Sequence, residues 1–380
     1  MKKETGTRLQ VTGYRLQTNR SSLFPPTLGL ARSLSTGNAA AGNQRGVALL
    51  AVLWLAVALS FMGMATAHLV RTEVVALGNQ IDWQRSYYLA RGGIEAAVYS
   101  IVRSAVVQPA APGVPIQPSA FLPGKRWLQF EFPGGSCTVE VVPENAKLNI
   151  NQTPPEQLAA LFVSLGLPTD ESFQLAAAIA EWRSPRTSDV GSVLDALYAG
   201  LPQPYLARHA PLKQLEELLP VMGMSRSLFF GRMERSRQGR WQKWPSLENL
   251  LTTQDTAVSV NPNYAPFEVL RVLPGWNDAM AAAVIAARAA APFRSLDDLQ
   301  AAVPQISAVA GLAPLTLVQG PVYTLTATGF LPGSGVRRSV RAQVLVGLGL
   351  PLYHRVLGWW DDWPGQAVSS EAPRAEGSVY

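Results

Sequence analysis

The sequence predicts an α+β protein: a long N-terminal helix, an antiparallel sheet, and a large all-helical insertion containing helix-hairpin-helix-like units. Three observations lead there. A run of 24 residues without Lys, Arg, Asp or Glu, VALLAVLWLAVALSFMGMATAHLV (Val47–Val70), passes without a proline into an amphipathic helical pattern. Two pairs of short segments, at 126–142 and 322–346, alternate with period two around Pro-Gly turns. Between these pairs NINQTPPEQL (Asn149–Leu158) returns 112 residues later as NPNYAPFEVL (Asn261–Leu270), a near-repeat of the form N-x-N-x-[TA]-P-x-E-x-L.

The chain begins with a basic arm, residues 1–46, holding Lys2, Lys3, Arg8, Arg15, Arg20, Arg32 and Arg45 against Glu4 alone. The whole chain carries +6, so residues 47–380 are balanced. Segment 47–70 spans roughly 36 Å as a helix, more than the ~30 Å of a bilayer's hydrocarbon. A membrane span with its basic flank in the cytoplasm is the expectation. The other readings are a buried core helix and a secretory signal, for which Ala65-Thr-Ala67 could supply a cleavage site. Residues 71–104 continue the helix, with Leu77, Ile81, Tyr88, Ile94, Val98 and Ile101 at helical spacings. Gly78 and Gly92-Gly93 are points where it could bend.

A Pro-rich linker (108–124) and the first strands fill 105–147: Arg126–Phe132 and Cys137–Val142 around Pro133-Gly-Gly135, with Phe130, Phe132, Cys137, Val139 and Val141 on one side. The insertion occupies 148–310, and the remaining strands, 322–328 and 336–346, fall in 311–350. The tail 351–380, with Trp359, Trp360 and Trp363, has no assignment.

The repeat reads as a helix start. In the first copy Thr153 is expected to cap, Pro154 to occupy the first helical position, and Glu156 to complete a capping box. In the second, Pro266 and Glu268 keep the opening pattern, two helices meet at Pro274-Gly275, and Ser295-Leu-Asp-Asp298 caps a third. Helix-hairpin-helix units commonly bind nucleic acid, which demands Lys and Arg for the phosphates. The balanced charge after residue 46 opposes that use, and Pro274-Gly275-Trp276-Asn277 lacks a second glycine for close phosphate approach. A structural packing role is therefore expected. No HExxH, GxSxG, CxxC or Walker motif occurs. The lone Cys137 excludes an intramolecular disulfide, and His68, His209 and His354 stand isolated. No catalytic set assembles.

Arg45-Gly46-Val47 before an apolar helix resembles the junction cut by a prepilin peptidase, which cleaves after Gly and methylates the new N-terminus. Most pilins and pseudopilins carry Glu at the fifth mature residue. Here that residue is Ala51, and a non-acidic residue there is characteristic of the K class of minor pseudopilins of type II secretion systems. QRGVALLAVLWLAVALS, YYLARGGIE, ENAKLNIN and the later N-x-N-x-A-P-x-E-V-L with LPG are similar to that class in order, from about Gln44 to Val346.

The resemblance implies cleavage between Gly46 and Val47, N-methylation of Val47, and a pilin-like helix packed on the sheet. It implies a non-enzymatic tip subunit needed for export of folded proteins across the outer membrane. Its implied partners are minor pseudopilins of the I and J classes, the prepilin peptidase and the inner-membrane secretion platform, with no nucleic acid. The chain would cross the inner membrane once, N-terminus cytoplasmic and head periplasmic. The Glu is thought to pair with the terminal ammonium of the subunit above, so a subunit with Ala51 suits the tip. The class often has W-I-D, further acids and G-A-E-D before a Tyr, a region associated with calcium. This chain reads Trp182-Arg183-Ser184-Pro185, then Gly191-Ser192-Val193-Leu194-Asp195 and Tyr198. Glu181, Asp189 and Asp195 remain as weak calcium candidates, too few for an ion that takes ~6–8 oxygens, and no other cofactor is expected. The alternative, a membrane-anchored helix-hairpin-helix protein for DNA binding or uptake, requires a basic head.

Overall fold

A computed structural model describes residues 45–106, 120–186, 192–235, 241–254, 259–309 and 311–363. In chain order the elements are helix α1 (Arg45–Val106), strands β1 (Trp127–Phe132), β2 (Gly135–Pro143) and β3 (Leu148–Asn149), and helices α2 (Pro155–Ser164), α3 (Thr169–Arg183), α4 (Val193–Ala199) and α5 (Arg226–Phe229). Then come strands β4 (Arg232–Arg235), β5 (Trp241–Trp244) and β6 (Leu251–Thr252), and helices α6 (Phe267–Arg271), α7 (Asp278–Ala290) and α8 (Leu296–Ala302). Strands β7 (Val322–Phe330), β8 (Arg337–Val346) and β9 (His354–Trp360) follow. Contacts divide the chain into Met1–Val70 and Arg71–Tyr380, and α1 contributes to both.

The second unit is built on a five-stranded antiparallel sheet in the order β1-β2-β7-β8-β9. The alternating residues expected in the two strand pairs face α1: Leu128, Cys137, Val139, Val141, Leu325, Ala327, Val340, Ala342 and Val344 are buried with Ala90, Ile94, Ala97, Val98 and Ile101 of the helix. Side chains alternate across a strand and recur every three to four residues on a helix, so one stripe meets one face. The tail supplies the fifth strand, unassigned from sequence because HRVLGWW lacks alternation. Its Trp359 pairs with Ala342 and packs on the same core. The end of the linker is also structured: Phe121 is buried, and its amide donates to the Ser100 hydroxyl at 2.8 Å.

One of the glycines named as a bend point, Gly93, is a point of close approach to the sheet. A Cβ on Gly93 would lie 2.2 Å from Cys137 Sγ, and one on Gly329 of β7 would lie 2.2 Å from the Ser86 carbonyl oxygen. The Ser86 hydroxyl donates to the Gly329 carbonyl at 2.9 Å, tying helix to sheet. Burial pushes the Cys137 thiol up to about 12, so it stays a neutral packing group.

The other sheet face is polar yet covered. Thr324, Thr326, Ser339 and Arg341 are buried there, with Glu140 and the Glu144–Lys147 pair at its border. The Lys147 ammonium donates to Glu144 at 2.7 Å, and the Thr324 hydroxyl also bonds Glu144. Arg341 donates to Thr326 (3.2 Å) and to Asn249 of the insertion (3.1 Å) and lies 3.4 Å from the Trp363 ring centre. Desolvation lowers its guanidinium to about 10, which keeps it charged at neutral pH. This network fastens the insertion to the sheet.

The insertion leaves the sheet at the end of β2 and returns at the start of β7, and these ends are neighbours, Pro143 pairing with Tyr323. It is mainly helical, with a two-stranded parallel pair β3–β6 and a hairpin β4–β5 in addition. The repeat inside it is a repeat of structure. Leu148 and Val260 each make a parallel bridge, to Leu251 and Leu315. Asn149 and Asn261 each accept the amide two residues on through their side-chain oxygen, at 2.9 and 3.0 Å. Asn151 then brackets the backbone of Leu212, donating to its carbonyl at 2.9 Å and accepting its amide at 2.8 Å. Asn263 does the same to Phe293, both at 2.9 Å. Arg183 donates to the carbonyls of Ile150 and Thr153, and Arg288 to the equivalent carbonyls of Pro262 and Ala265.

Three expected details change. Thr153 does not cap α2: its hydroxyl donates to the Asn149 carbonyl at 2.6 Å, and no side chain caps the helix. Pro154 is the N-cap residue and Pro155 the first helical one, so Glu156 has no cap to complete. The Asn turn captures the Thr hydroxyl first, because the loop closes on itself before the helix begins. Ser295 and Asp298 do form the expected capping box on α8.

Three outcomes test this packing. Gly93→Ala should destabilise the protein in detergent by about 1–3 kcal/mol in urea unfolding, with partial recovery when Cys137→Ala is added. Asn263→Ala leaves the Phe293 amide and carbonyl unpaired and should cost about 1–3 kcal/mol for each buried group; Asn151→Ala, at a half-buried site, should cost less. Burial pushes the Glu144 carboxyl up, but the Lys147 charge and the Lys147, Thr252 and Thr324 hydrogen bonds outweigh it and hold its pKa below the ordinary value. Its contribution is therefore complete above the unfolded pKa of ~4.3 and disappears as pH falls through the lower folded value. Glu144→Gln should flatten that acid loss and cost about 3–5 kcal/mol at neutral pH by stranding Lys147, and Lys147→Met in addition should recover most of it.

Candidate functional site

Residues 45–70 form the opening of α1. Every described side chain from Ala48 to Val70 is exposed. A helix buried in a protein core would be covered, so that reading falls. One window of α1 has a mean hydropathy of 2.3 with none of it buried, long and apolar enough to cross a membrane and compatible with a single-pass anchor. The hydroxyls inside the span are satisfied within the helix, Ser60 donating to the Ala56 carbonyl (2.7 Å) and Thr66 to that of Met62 (3.0 Å), as lipid surroundings require. Gly46 and Val47 lie in the first turn, Ala51 lies one turn beyond Val47, and the first turn holds no acidic residue. Residues 1–44 of the basic arm lie outside the described residues.

The two helical hairpins are α2–α3 and α6–α7. Gly166 and Gly275 turn them in the left-handed region, at φ 83° and 80°. A phosphate would have to approach these glycines, and other side chains already cover both. A Cβ on Gly275 would meet Val309 at 2.8 Å and Leu312 at 3.1 Å; one on Gly166 would meet Arg232 at 3.2 Å and Trp244 at 3.4 Å. Trp276, next in the turn, is buried. The hairpins are packing units, and the DNA-binding alternative loses the surface it needed.

Of the calcium candidates, Asp189 lies outside the described residues, whereas Glu181 and Asp195 are brought together. Asp195 makes the capping box of α4 with Ser192, whose hydroxyl donates to Glu181. His209 Nε2 lies 2.9 Å from Asp195 Oδ1, and the Arg186 guanidinium lies 3.2 Å from Oδ2. The His209 hydrogen bond holds the Asp195 carboxyl below its usual range against desolvation, helped by the Ser192 amide and the Arg186 charge. Burial and the Asp195 charge raise Glu181. Among the described residues no group of three or more His, Cys, Asp or Glu is arranged to hold a metal. Calcium takes ~6–8 oxygens, several of them carboxylate. Two carboxylates already occupied by a guanidinium, an imidazole and a hydroxyl do not fit it. The sequence reading left His209 isolated because its partner is 14 residues away across a loop, with no periodic signal to join them.

A second cluster was also invisible from sequence. Arg338 stacks 3.5 Å from the Trp83 ring centre and 4.7 Å from that of Tyr87, and pairs with Asp362 at 2.6 Å. Tyr87 and Trp359 both donate to Asp361, at 2.8 and 2.7 Å, and together they hold its carboxyl below the usual range. These contacts clasp the end of β9 onto α1.

Residues 140–230 and 260–318 match two family models, each described as Type II secretion system (T2SS), protein K. The two matches enclose the two copies of the repeated unit. No curated protein matches the chain. Among solved structures, GspK in the GspK-GspI-GspJ complex from the enterotoxigenic Escherichia coli Type 2 Secretion System is similar at 17% identity and a TM-score of 0.48, over 75% of this chain and 98% of that one. Both protein K matches thus fall in the expected order, between the second and third long strands of the sheet that packs on α1, so these two stretches of the chain are similar to type II secretion system protein K.

Proposed function

We propose that this chain is a minor pseudopilin of a type II secretion system, that it occupies the tip of the pseudopilus, and that it serves the export of folded proteins across the outer membrane as a structural subunit rather than an enzyme. The observation that carries the reading is Ala51. The opening turn of α1 holds no acidic residue, so the chain has nothing with which to neutralise the N-terminal ammonium of a subunit above it. A buried charge without a partner is costly in lipid, and only the topmost position spares the assembly that cost.

The arm 1–46 is removed by prepilin peptidase between Gly46 and Val47, and Val47 is N-methylated. The position of Gly46–Val47 in the first helical turn supports this, since the earliest amides of a helix have no partners within it and that turn opens most easily. Orientation follows the basic arm: N-terminus on the cytoplasmic side of the inner membrane, residues after Arg71 in the periplasm. The two stretches similar to protein K support I- and J-class minor pseudopilins and the inner-membrane secretion platform as partners.

Coexpression with prepilin peptidase, followed by mass measurement of the N-terminus, tests the maturation. The expected product begins with methylated Val47, and Gly46→Ala should leave the chain uncut. A cut after Ala67 overturns the proposal in favour of a secretory signal. Copurification tests the assembly: the mature chain should retain I- and J-class subunits, and recovery without either removes it from a tip complex.

A further inference from the structure

We infer that this chain fastens the segment between α3 and His209 with side chains of its own, the Arg186 guanidinium and the His209 imidazole, in place of a divalent metal, and so folds without calcium. The inference stands on geometry and does not depend on the tip reading. Asp195 uses both oxygens: Oδ1 faces His209 Nε2 at 2.9 Å, while Oδ2 faces the same nitrogen at 3.1 Å, Arg186 at 3.2 Å and the Ser192 amide at 3.4 Å. Glu181 at the end of α3 is joined to the same point through the Ser192 hydroxyl. One carboxylate thus gathers three chain segments, which is the work a metal does when it crosslinks a loop.

The side chains are committed to this role. His209 sits at φ 49°, a left-handed backbone that a residue with a Cβ keeps only where its surroundings hold it. Its imidazole is nearly buried, with 11% of the side chain exposed. Three residues on, Leu212 is bracketed by Asn151 of the first repeat. The segment is therefore fixed at both ends, and His209 is held against Asp195. A dication entering here would have to displace the imidazole and face the guanidinium across a few ångströms, with only two described carboxylates to bind it. The neighbouring position follows the same pattern. Arg183, at the end of α3, is likewise committed to the chain itself, donating to the carbonyls of Ile150 and Thr153.

Thermal unfolding of the full chain in detergent, in millimolar calcium, millimolar magnesium or EGTA, tests the inference. The expected midpoints agree within about 1 °C, because a ligand that binds only the folded state would raise the midpoint with its concentration. A midpoint several degrees higher in calcium than in magnesium overturns it. His209→Gln and Arg186→Met should each lower the midpoint by roughly 1–2 °C, to the same extent in calcium and in EGTA, the shift a contact of about 1 kcal/mol produces in a chain of this size. If neither variant moves it, these side chains are not the fastening and the inference fails. Should a variant not fold, equilibrium dialysis of the unaltered chain with radioactive calcium decides: no retained calcium supports the inference, and stoichiometric retention overturns it.

Discussion

The structure of the head depends on how closely α1 lies on the sheet. At Gly93 and Gly329 there is no room for a methyl group: helix backbone meets the Cys137 sulfur at one, and strand backbone meets the Ser86 carbonyl at the other. The Ser86 hydroxyl converts the second approach into a hydrogen bond. Such proximity sets the register of helix against strand and turns the small residues Ala90 and Ala97 into contact surface. It also fixes which face of β2, β7 and β8 is apolar and which must be covered by something else. The clasp of Arg338, Asp361 and Trp359 on Trp83, Tyr87 and Arg91 depends on the same placement.

The face turned away from α1 determines how the insertion is held. Hydrophobic burial alone would let the insertion slide, whereas a buried ion pair and a buried guanidinium demand particular partners. Glu144 meets Lys147 and Thr324, and Arg341 meets Thr326 and Asn249, with Glu140 bound to Arg126 at the edge. The insertion has its own core, from Leu148 to Ala313, separate from that of the sheet. Because it starts and ends on adjacent strands, its interior can change without altering the sheet. The Ser184 that stands where the resemblance leads one to expect an acid is a change of that kind.

Within the insertion one device is used twice. A parallel bridge, an Asn turn, an Asn bracket on a distant backbone and an Arg set into two carbonyls recur at positions 112 residues apart, except for the Arg, the bracketed residue and the bridge partner, whose spacings differ. Asn serves both roles because its amide offers a donor and an acceptor side by side and matches the edge of a peptide group. The glycine turns of the hairpins complete each unit, and their burial under Val309, Leu312, Trp244 and Arg232 explains why a nucleic-acid-like motif serves packing here.

The sequence by itself determined the apolar span, the helix running past it, the two strand pairs and the insertion between them. These rest on composition and on periods of 2 and 3.6, which act over a few residues and are written in order along the chain. It also located the repeat, although it assigned Thr153 a cap that the Asn149 carbonyl takes instead. Only the tertiary structure decided the fifth strand, the clasp, the function of Gly93 and the pairing of His209 with Asp195. Each of these joins residues with no periodic relation, some more than 200 positions apart, as Ser86 and Gly329 are. HRVLGWW becomes a strand because β8 presents an edge to pair with, and no local pattern announces that edge. His209 becomes the hydrogen-bond partner of Asp195 because the backbone of a loop brings it there, a fact set by packing and not by the residues beside it.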